Sequence, residues 1–276
     1  MIIAVPTGIK IFSWLSFSFS KKSMTSRIIN KNKVFQNVLE RFPRSKKQYL
    51  PDNKICTSVV IFGSNLSSTI NYPRFTSIVR YMVSIPPSVY PILVGLIISD
   101  GWLQINKSGN TRFAFKQSID KFEYFYNVFL KLSHYCSSYP YIVKTNLKGQ
   151  LFYGISFSTR SYPCFTELYH IFYLKKVKIV PENLFDILTY EALAHWICCD
   201  GTNTFNGITL QTQSFTLKEV VFIINVLIVK FDLNCSIHYK RGSPTIYISV
   251  QSINKIRPFL LPYICDSMKY KIIYKN

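Results

Sequence analysis

The sequence predicts an α+β fold built from two pseudo-symmetric αββαββα halves, each presenting an antiparallel β-sheet. Three observations predict it. Two apolar stretches each end in Asp-Gly, at Asp100-Gly101 and at Asp200-Gly201. Downstream of each, helical periodicity and strand-like alternation follow in the same order. Landmarks recur within that order: Gln117-Ser118 matches Gln213-Ser214, Glu123 and Glu219 follow their glutamines at equal spacing, and Lys178-Ile179 matches Lys271-Ile272.

The first half spans residues 85–179. IPPSVYPILVGLIISDGWL (85–103) reads as an apolar helix ending in Asp-Gly, and RFAFKQSIDKFEYFYNVFLKL (112–132) as a strand turning into a helix. YIVKT (141–145) and LFYGISFST (151–159) alternate as two strands with Lys148-Gly149 in the turn. A helix at 161–174 and KKVKI (175–179) close the unit.

The second half, 180–276, repeats this. VPENLFDILTYEALAHWICCDG (180–201) is an apolar helix ending in Asp-Gly. ITLQTQSFTLKEVVFIINVLIVKF (208–231) is a strand and a helix, and CSIHY (235–239) and PTIYISVQS (244–252) pair around Arg241-Gly242. INKIRPFLLPYI (253–264) is a helix broken or capped near Pro258 and Pro262, and MKYKI (268–272) closes the half.

Composition narrows the function. Lys and Arg number 33 against 13 Asp and Glu, a net charge of +20 spread along the whole chain. Such a field attracts polyanions, nucleic acid first. An anionic membrane surface is the rival, and it calls for a basic amphipathic helix that is not evident. The longest apolar runs, 89–98 and 220–229, are too short to cross a bilayer, so no stable membrane association is expected. Seven cysteines without a CxxC pair speak against a disulfide framework or a zinc ribbon. Four scattered histidines speak against a His-ligated metal.

The two Asp-Gly helix ends carry the chemistry. A helix C-terminus is partially negative, and a carboxylate adds to it. Two such ends side by side repel and raise one another's pKa unless a divalent cation lies between them. Oxygen ligands there suit Mg²⁺ (or Mn²⁺), which serves phosphodiester hydrolysis. The helices must approach closely, and Gly95 and Ser99 on the first, with Ala194, Cys198 and Cys199 on the second, are small enough to allow it. Glycine after each aspartate is expected to take the left-handed turn that ends a helix.

LVGLIISDG (93–101) and LAHWICCDG (193–201) resemble the two copies of the motif that names the LAGLIDADG homing endonucleases. LTYEALAHWICCDG (188–201), TLQTQSFTLKEV (209–220), KFDLNC (230–235) and MKYKI are similar to two-motif monomeric members encoded in introns of fungal mitochondria. The resemblance covers about 85–276. It implies Asp100 and Asp200 as metal-binding catalytic acids, with the backbone carbonyls of Gly101 and Gly201 as further metal ligands. It implies Lys178 and Lys271 as active-site lysines near the scissile phosphates, and Gln117 and Gln213 as polar residues of the cleft. It also implies saddle-shaped sheets in the DNA major groove. Candidate DNA contacts are Arg112, Lys116, Lys144, Arg160, Gln211, Tyr239, Lys240 and Arg241. His195 departs from the motif, where Gly is usual, and Ile98 and Cys199 stand where a further acid can occur. Neither departure removes an aspartate.

The start of the chain is different. MIIAVPTGIKIFSWL (1–15) closely resembles a segment of cytochrome c oxidase subunit 1, and the resemblance stops there. Residues 16–84 read as a basic extension or linker, with candidate short elements at 31–42 and 56–65. Such a junction points to an intron reading frame continuous with an oxidase exon, and to synthesis in the mitochondrial matrix. The expected activity is metal-dependent cleavage of a long, asymmetric double-stranded DNA site by a monomer. The alternative is a splicing maturase whose partner is its own intron RNA, with or without cleavage. A DNA-binding relic that no longer cuts is the third reading.

Overall fold

The computed structural model describes residues 69–147, 149–204 and 207–273. The oxidase-like segment 1–15, the candidate elements at 31–42 and 56–65, and Lys148 lie outside the described residues.

Each half is organised on a helix without a polar face. Helix α1 (Ser77–Met82) precedes the first half. Helix α2 (Tyr90–Ile98) opens with Pro91, placed where a missing N–H costs nothing, and Ile92 to Ile98 are all buried. After β1 (Trp102–Ile105), β2 (Thr111–Ser118), α3 (Phe122–Leu132), β3 (Tyr141–Leu147), β4 (Gln150–Ser158) and α4 (Pro163–Phe172), a short hairpin of β5 (Tyr173–Leu174) and β6 (Val177–Lys178) ends the unit. The second half runs α5 (Leu184–Ile187), α6 (Tyr190–Asp200), β7 (Gly201–Thr204), β8 (Gly207–Leu210), α7 (Leu217–Phe231), β9 (Cys235–Lys240), β10 (Ser243–Ser249) and α8 (Val250–Leu260). Two 3₁₀ turns, Leu261–Tyr263 and Asp266–Lys271, follow.

The sheets repeat one topology. Their orders are β1-β2-β4-β3 and β7-β8-β10-β9, antiparallel throughout. Helices α3 and α4 cover one face of the first sheet, and α7 and α8 one face of the second. Under the first sheet Phe115 stacks on Phe125 with centroids 5.8 Å apart. Phe157 meets Phe125 and Phe129 edge-on at 5.4 and 5.5 Å. Among the described residues no helix is long and apolar enough to cross a membrane.

Several local expectations change. A short strand, β1 or β7, follows each Asp-Gly, where the sequence showed only the end of a helix. The apolar stretch 180–201 is two helices, because Leu188 is extended and Thr189 caps α6 by accepting from the Ala192 amide at 3.2 Å. Pro258 sits inside α8 without ending it; the α-helix gives way to a 3₁₀ turn only at Leu261-Pro262. The second half's closing segment is a 3₁₀ turn, whereas the first half's is a strand. Residues 69–84, expected to be linker, pack on the first half: the Thr69 hydroxyl bonds the His134 and Cys136 carbonyls, and Tyr135 donates to the Ser84 carbonyl.

Helix α7 shows how local chemistry fixes the joint between halves. Thr216 and Glu219 form a reciprocal capping box. The second carboxylate oxygen of Glu219 accepts from the Val180 amide at 3.0 Å, fixing the segment that links the two units. Asp232 ends α7 in the left-handed conformation and pairs with Lys255.

Candidate active site at the paired helix ends

Helices α2 and α6 lie against one another, and glycine makes this possible. A Cβ on Gly95 would sit 2.2 Å from the Ala192 carbonyl oxygen and 2.9 Å from His195 Cβ. The Ser99 hydroxyl turns back to the Gly95 carbonyl at 2.7 Å and also meets the Cys199 thiol. The crossing face thus uses Gly95 and Ser99 from α2, and Ala192, His195 and Cys199 from α6. Helix α6 continues through Asp200, while α2 stops at Ile98 with Asp100 two residues beyond.

The glycines after the aspartates serve closeness and not handedness. Gly201 is extended at φ −69°, ψ 131°, and Gly101 is not among the residues with positive φ. A Cβ on Gly101 would lie 2.8 Å from both the Leu96 carbonyl and the Phe113 ring. On Gly201 it would lie 2.5 Å from the Ile197 carbonyl. The left-handed turn expected there is absent: α6 runs directly into β7, and α2 reaches β1 through Ser99, Asp100 and Gly101 without a positive φ.

The electrostatics centre on Asp200. Burial pushes its carboxyl up to about 7, and the negative charge of Asp100 adds to the rise. Lys178, Lys271 and Lys121 oppose it. Gln117, buried on β2, donates its side-chain amide to the Asp100 carboxylate. Lys178 Nζ donates to the Ser99 and Gly101 carbonyls, both at 2.9 Å. Lys271 Nζ donates to the carbonyls of Ile197 at 3.0 Å and Cys198 at 2.6 Å. Burial pushes both ammonium groups down to about 8; the two aspartates resist this at Lys178, whereas nearby Lys121 deepens it at Lys271. Each lysine therefore neutralises the negative end of one helix.

Sequence reasoning missed Lys121. Its ammonium reaches the Cys199 carbonyl at 3.3 Å from the other half. The repeat sets Leu217 at the corresponding place, so symmetry hides it. Tyr124 was missed too. It meets His195 Nδ1 at 3.0 Å, and burial pushes the His195 imidazole down to about 3. His195 is therefore packing between α6 and α3.

Four expected site residues fall elsewhere. Gln213 lies past the end of β8, exposed, and its amide donates to Gln211 instead of an aspartate. Counting three residues past Ala114 and Thr209, which pair with Trp102 and Thr202, sets Thr212 opposite Gln117. Arg160 is committed to the protein: it donates to the carbonyls of Thr69, Tyr72 and Pro73 and stacks on Phe75. Lys144 pairs with Tyr153, and Tyr239 with Pro244. By period-2 alternation both lie on the helix-covered faces of their sheets, alongside Ile142 and Ile237.

The outward faces carry the remaining candidates. Arg112 is exposed and donates twice to Gln104 across the β1–β2 pair. Lys116 crosses Gly154 to reach the Thr145 hydroxyl at 3.2 Å. In the second half Gln211 bonds Thr202 at 3.3 Å, and Lys240 lies on the same face. Arg241 and Gly242, both at positive φ, form the two-residue β9–β10 turn beside them.

Hard oxygen donors gather at the helix ends, and among the described residues no group of three His, Cys, Asp or Glu does so. Two carboxylates, one with its proton affinity raised by burial and by the other's charge, fit a divalent cation bound largely by oxygen. The Gly101 carbonyl already accepts from Lys178, so it is a poorer ligand than the sequence implied.

Comparison with known proteins agrees with this architecture. A homing endonuclease, I-WcaI, solved bound to its DNA recognition sequence, superposes with a TM-score of 0.66 and 26% identity, covering 70% of this chain and 89% of that one. The cytochrome b mRNA maturase bI2 of Saccharomyces cerevisiae is 30% identical over 199 residues, 67% of this chain and 47% of that protein. This chain thus spans about half the length of that relative. Intron-encoded endonuclease ai4 of Dictyostelium discoideum is 36% identical over 154 residues, 53% of this chain and 97% of that one. Residues 90–256, which hold both helix ends, both sheets and Lys178, match the model of the LAGLIDADG DNA endonuclease family, and the chain belongs to that family.

Proposed function

We propose that the protein is a site-specific, divalent-metal-dependent endonuclease that cuts both strands of a long asymmetric DNA site and so starts intron homing. The observation that carries this is the meeting of Asp100 and Asp200 at two helix ends held together across Gly95. Asp100 and Asp200 would hold Mg²⁺ or Mn²⁺, which supplies charge neutralisation at the phosphodiester and an acidified water. Gln117 fixes the Asp100 carboxylate by donating to it. Lys178 and Lys271 hold positive charge beneath the site, near where a scissile phosphate would sit. The outward sheet faces, with Arg112, Lys116, Gln211, Lys240 and Arg241, lie on the duplex, and unlike halves make the site asymmetric. Both halves sit in one chain, so a monomer suffices.

The oxidase-like character of residues 1–15 supports an uninterrupted oxidase subunit gene as the target and the mitochondrial matrix as the place of action. Incubation with a plasmid carrying that junction tests the reading. A single linearisation in Mg²⁺ or Mn²⁺, absent in EDTA, is expected. No cut under any metal, by folded protein that binds the duplex, would contradict it.

A second activity rests on a separate observation: two relatives, from Saccharomyces cerevisiae and Debaryomyces hansenii, are named cytochrome b mRNA maturases. In a protein with both activities, Asp100→Asn or Asp200→Asn stops cutting and spares splicing of the intron RNA.

A further inference from the structure

Away from the aspartates, three arginines converge on one cavity. Residues 69–84 dock on the first half through Arg160, whose guanidinium holds three carbonyls of that segment. Between the docked segment and the β1–β2 loop lies a cavity of about 200 Å³, lined by Arg74, Arg80, Arg160, Asn106, Ser108 and Ser161 among others. No carboxylate lines it.

Two donors there are unmet. Arg80 Nε and Arg160 Nε are shielded from solvent and have no hydrogen-bond partner. A buried guanidinium N–H left unpaired is costly, more so for a charged group. Asn106 Oδ1 already accepts from the Ser108 amide, the Ser108 hydroxyl and the Asn110 amide, so its NH₂ is the end left for a ligand. Burial also pushes the Arg160 guanidinium down from its usual value, a cost that an anion would relieve. Guanidinium forks and an amide without a counter-charge are the chemistry that recognises phosphate.

Position selects the phosphate. The cavity borders the far end of β1, about 13 Å along the strand from the Asp100-Gly101 corner at about 3.3 Å per residue. The exposed Gln104–Arg112 pair lies between, on the outward face. We propose that Arg74, Arg80, Arg160 and Asn106 form a binding pocket for a backbone phosphate of the duplex, on the flank of the cut and built by the docked N-terminal segment. The proposal rests on the endonuclease reading for its ligand.

The test uses the full chain and a random-sequence DNA duplex, and compares wild type with R74Q/R80Q by fluorescence anisotropy across salt concentrations. The slope of log K against log salt is expected to shrink by about 0.9 for each phosphate that the variant no longer neutralises. In parallel, inorganic phosphate should raise the melting temperature of the wild type and not of the variant. Equal slopes with that phosphate effect intact would overturn the backbone assignment, because the pocket would then take a free anion. Equal slopes without it would overturn the site. A wild type that binds no duplex, yet is stabilised by phosphate, would show that the endonuclease reading had failed and not the pocket's anion chemistry; the duplex assignment would fall with it. R74Q alone, at an exposed side chain, serves if the double variant does not fold.

Discussion

At the scale of single residues, Gly95 governs the meeting of the two aspartates. It is the point where α2 and α6 touch, and any side chain there meets the Ala192 carbonyl, a backbone atom that cannot swing away. Gly95→Ala should destabilise the protein by about 1–3 kcal/mol, the usual cost of overpacking. The urea midpoint reads this, and an unchanged midpoint would show that the helices can part. The same displacement separates Asp100 from Asp200, so cutting at saturating DNA should fall as well. Both aspartates were legible in the sequence because a repeat marked them. Lys121 was not, because it acts from only one half, and Gln213 misled because one residue more separates β8 from α7 than its glutamine landmark implied.

At the scale of elements, the sheets decide which side chains face outward. Alternation along β9 sends Lys240 outward and Tyr239 to the helix-covered side; along β3 it sends Lys144 to that side too. Lys240→Ala should weaken duplex binding several-fold and lower its salt dependence, while Lys144→Ala should leave both near wild type. Equal effects of the two variants in a binding titration would mean that the faces are assigned wrongly. Strand identity was readable from alternation, but register was not, since it depends on pairing partners distant in sequence. The loops explain the difference. Ile105 and Thr111 bracket a five-residue β1–β2 loop, whereas Thr204 and Gly207 leave only two residues between β7 and β8. A position counted from the Asp-Gly corner therefore does not carry from one half to the other. Arg160 holds the protein's own backbone instead of standing free on a sheet face, because residues 69–75 fold back onto it, which the sequence does not show.

At the scale of the whole molecule, two halves are fused through buried polar contacts that respond to pH. His195 in α6 is 2% exposed and meets Tyr124 of α3. Its folded-state pKa, about 3, lies below the ordinary 6.5, so the unfolded chain takes up the proton first. The stability it contributes is complete above about pH 6.5 and is lost as pH falls toward 3. Between pH 7 and pH 5 this amounts to about 2 kcal/mol. Because the raised Asp200 carboxyl pulls the other way over the same range, urea midpoints are read as a difference: relative to His195→Leu, wild type should lose about 2 kcal/mol between pH 7 and pH 5. A midpoint as pH-sensitive in the variant as in wild type would assign the loss to other groups. The αββαββα order, the pairing of halves and the two helix ends were all legible, because a repeated pattern is strong evidence even when each copy is weak. The joint between halves was not, because Tyr124 and Lys121 cross it from positions that no local pattern marks, and Glu219, marked only as a repeat landmark, gives no sign of its bond to Val180.

Asp100 and Asp200 are proposed to act together as one cleavage centre. The most direct measurement follows nicked and linear products from a plasmid bearing the uninterrupted oxidase-gene junction, in Mg²⁺, for wild type, Asp100→Asn and Asp200→Asn. Linear product is expected from the wild type alone, with both variants still binding the duplex. Linear product from either variant at near wild-type rate would contradict it.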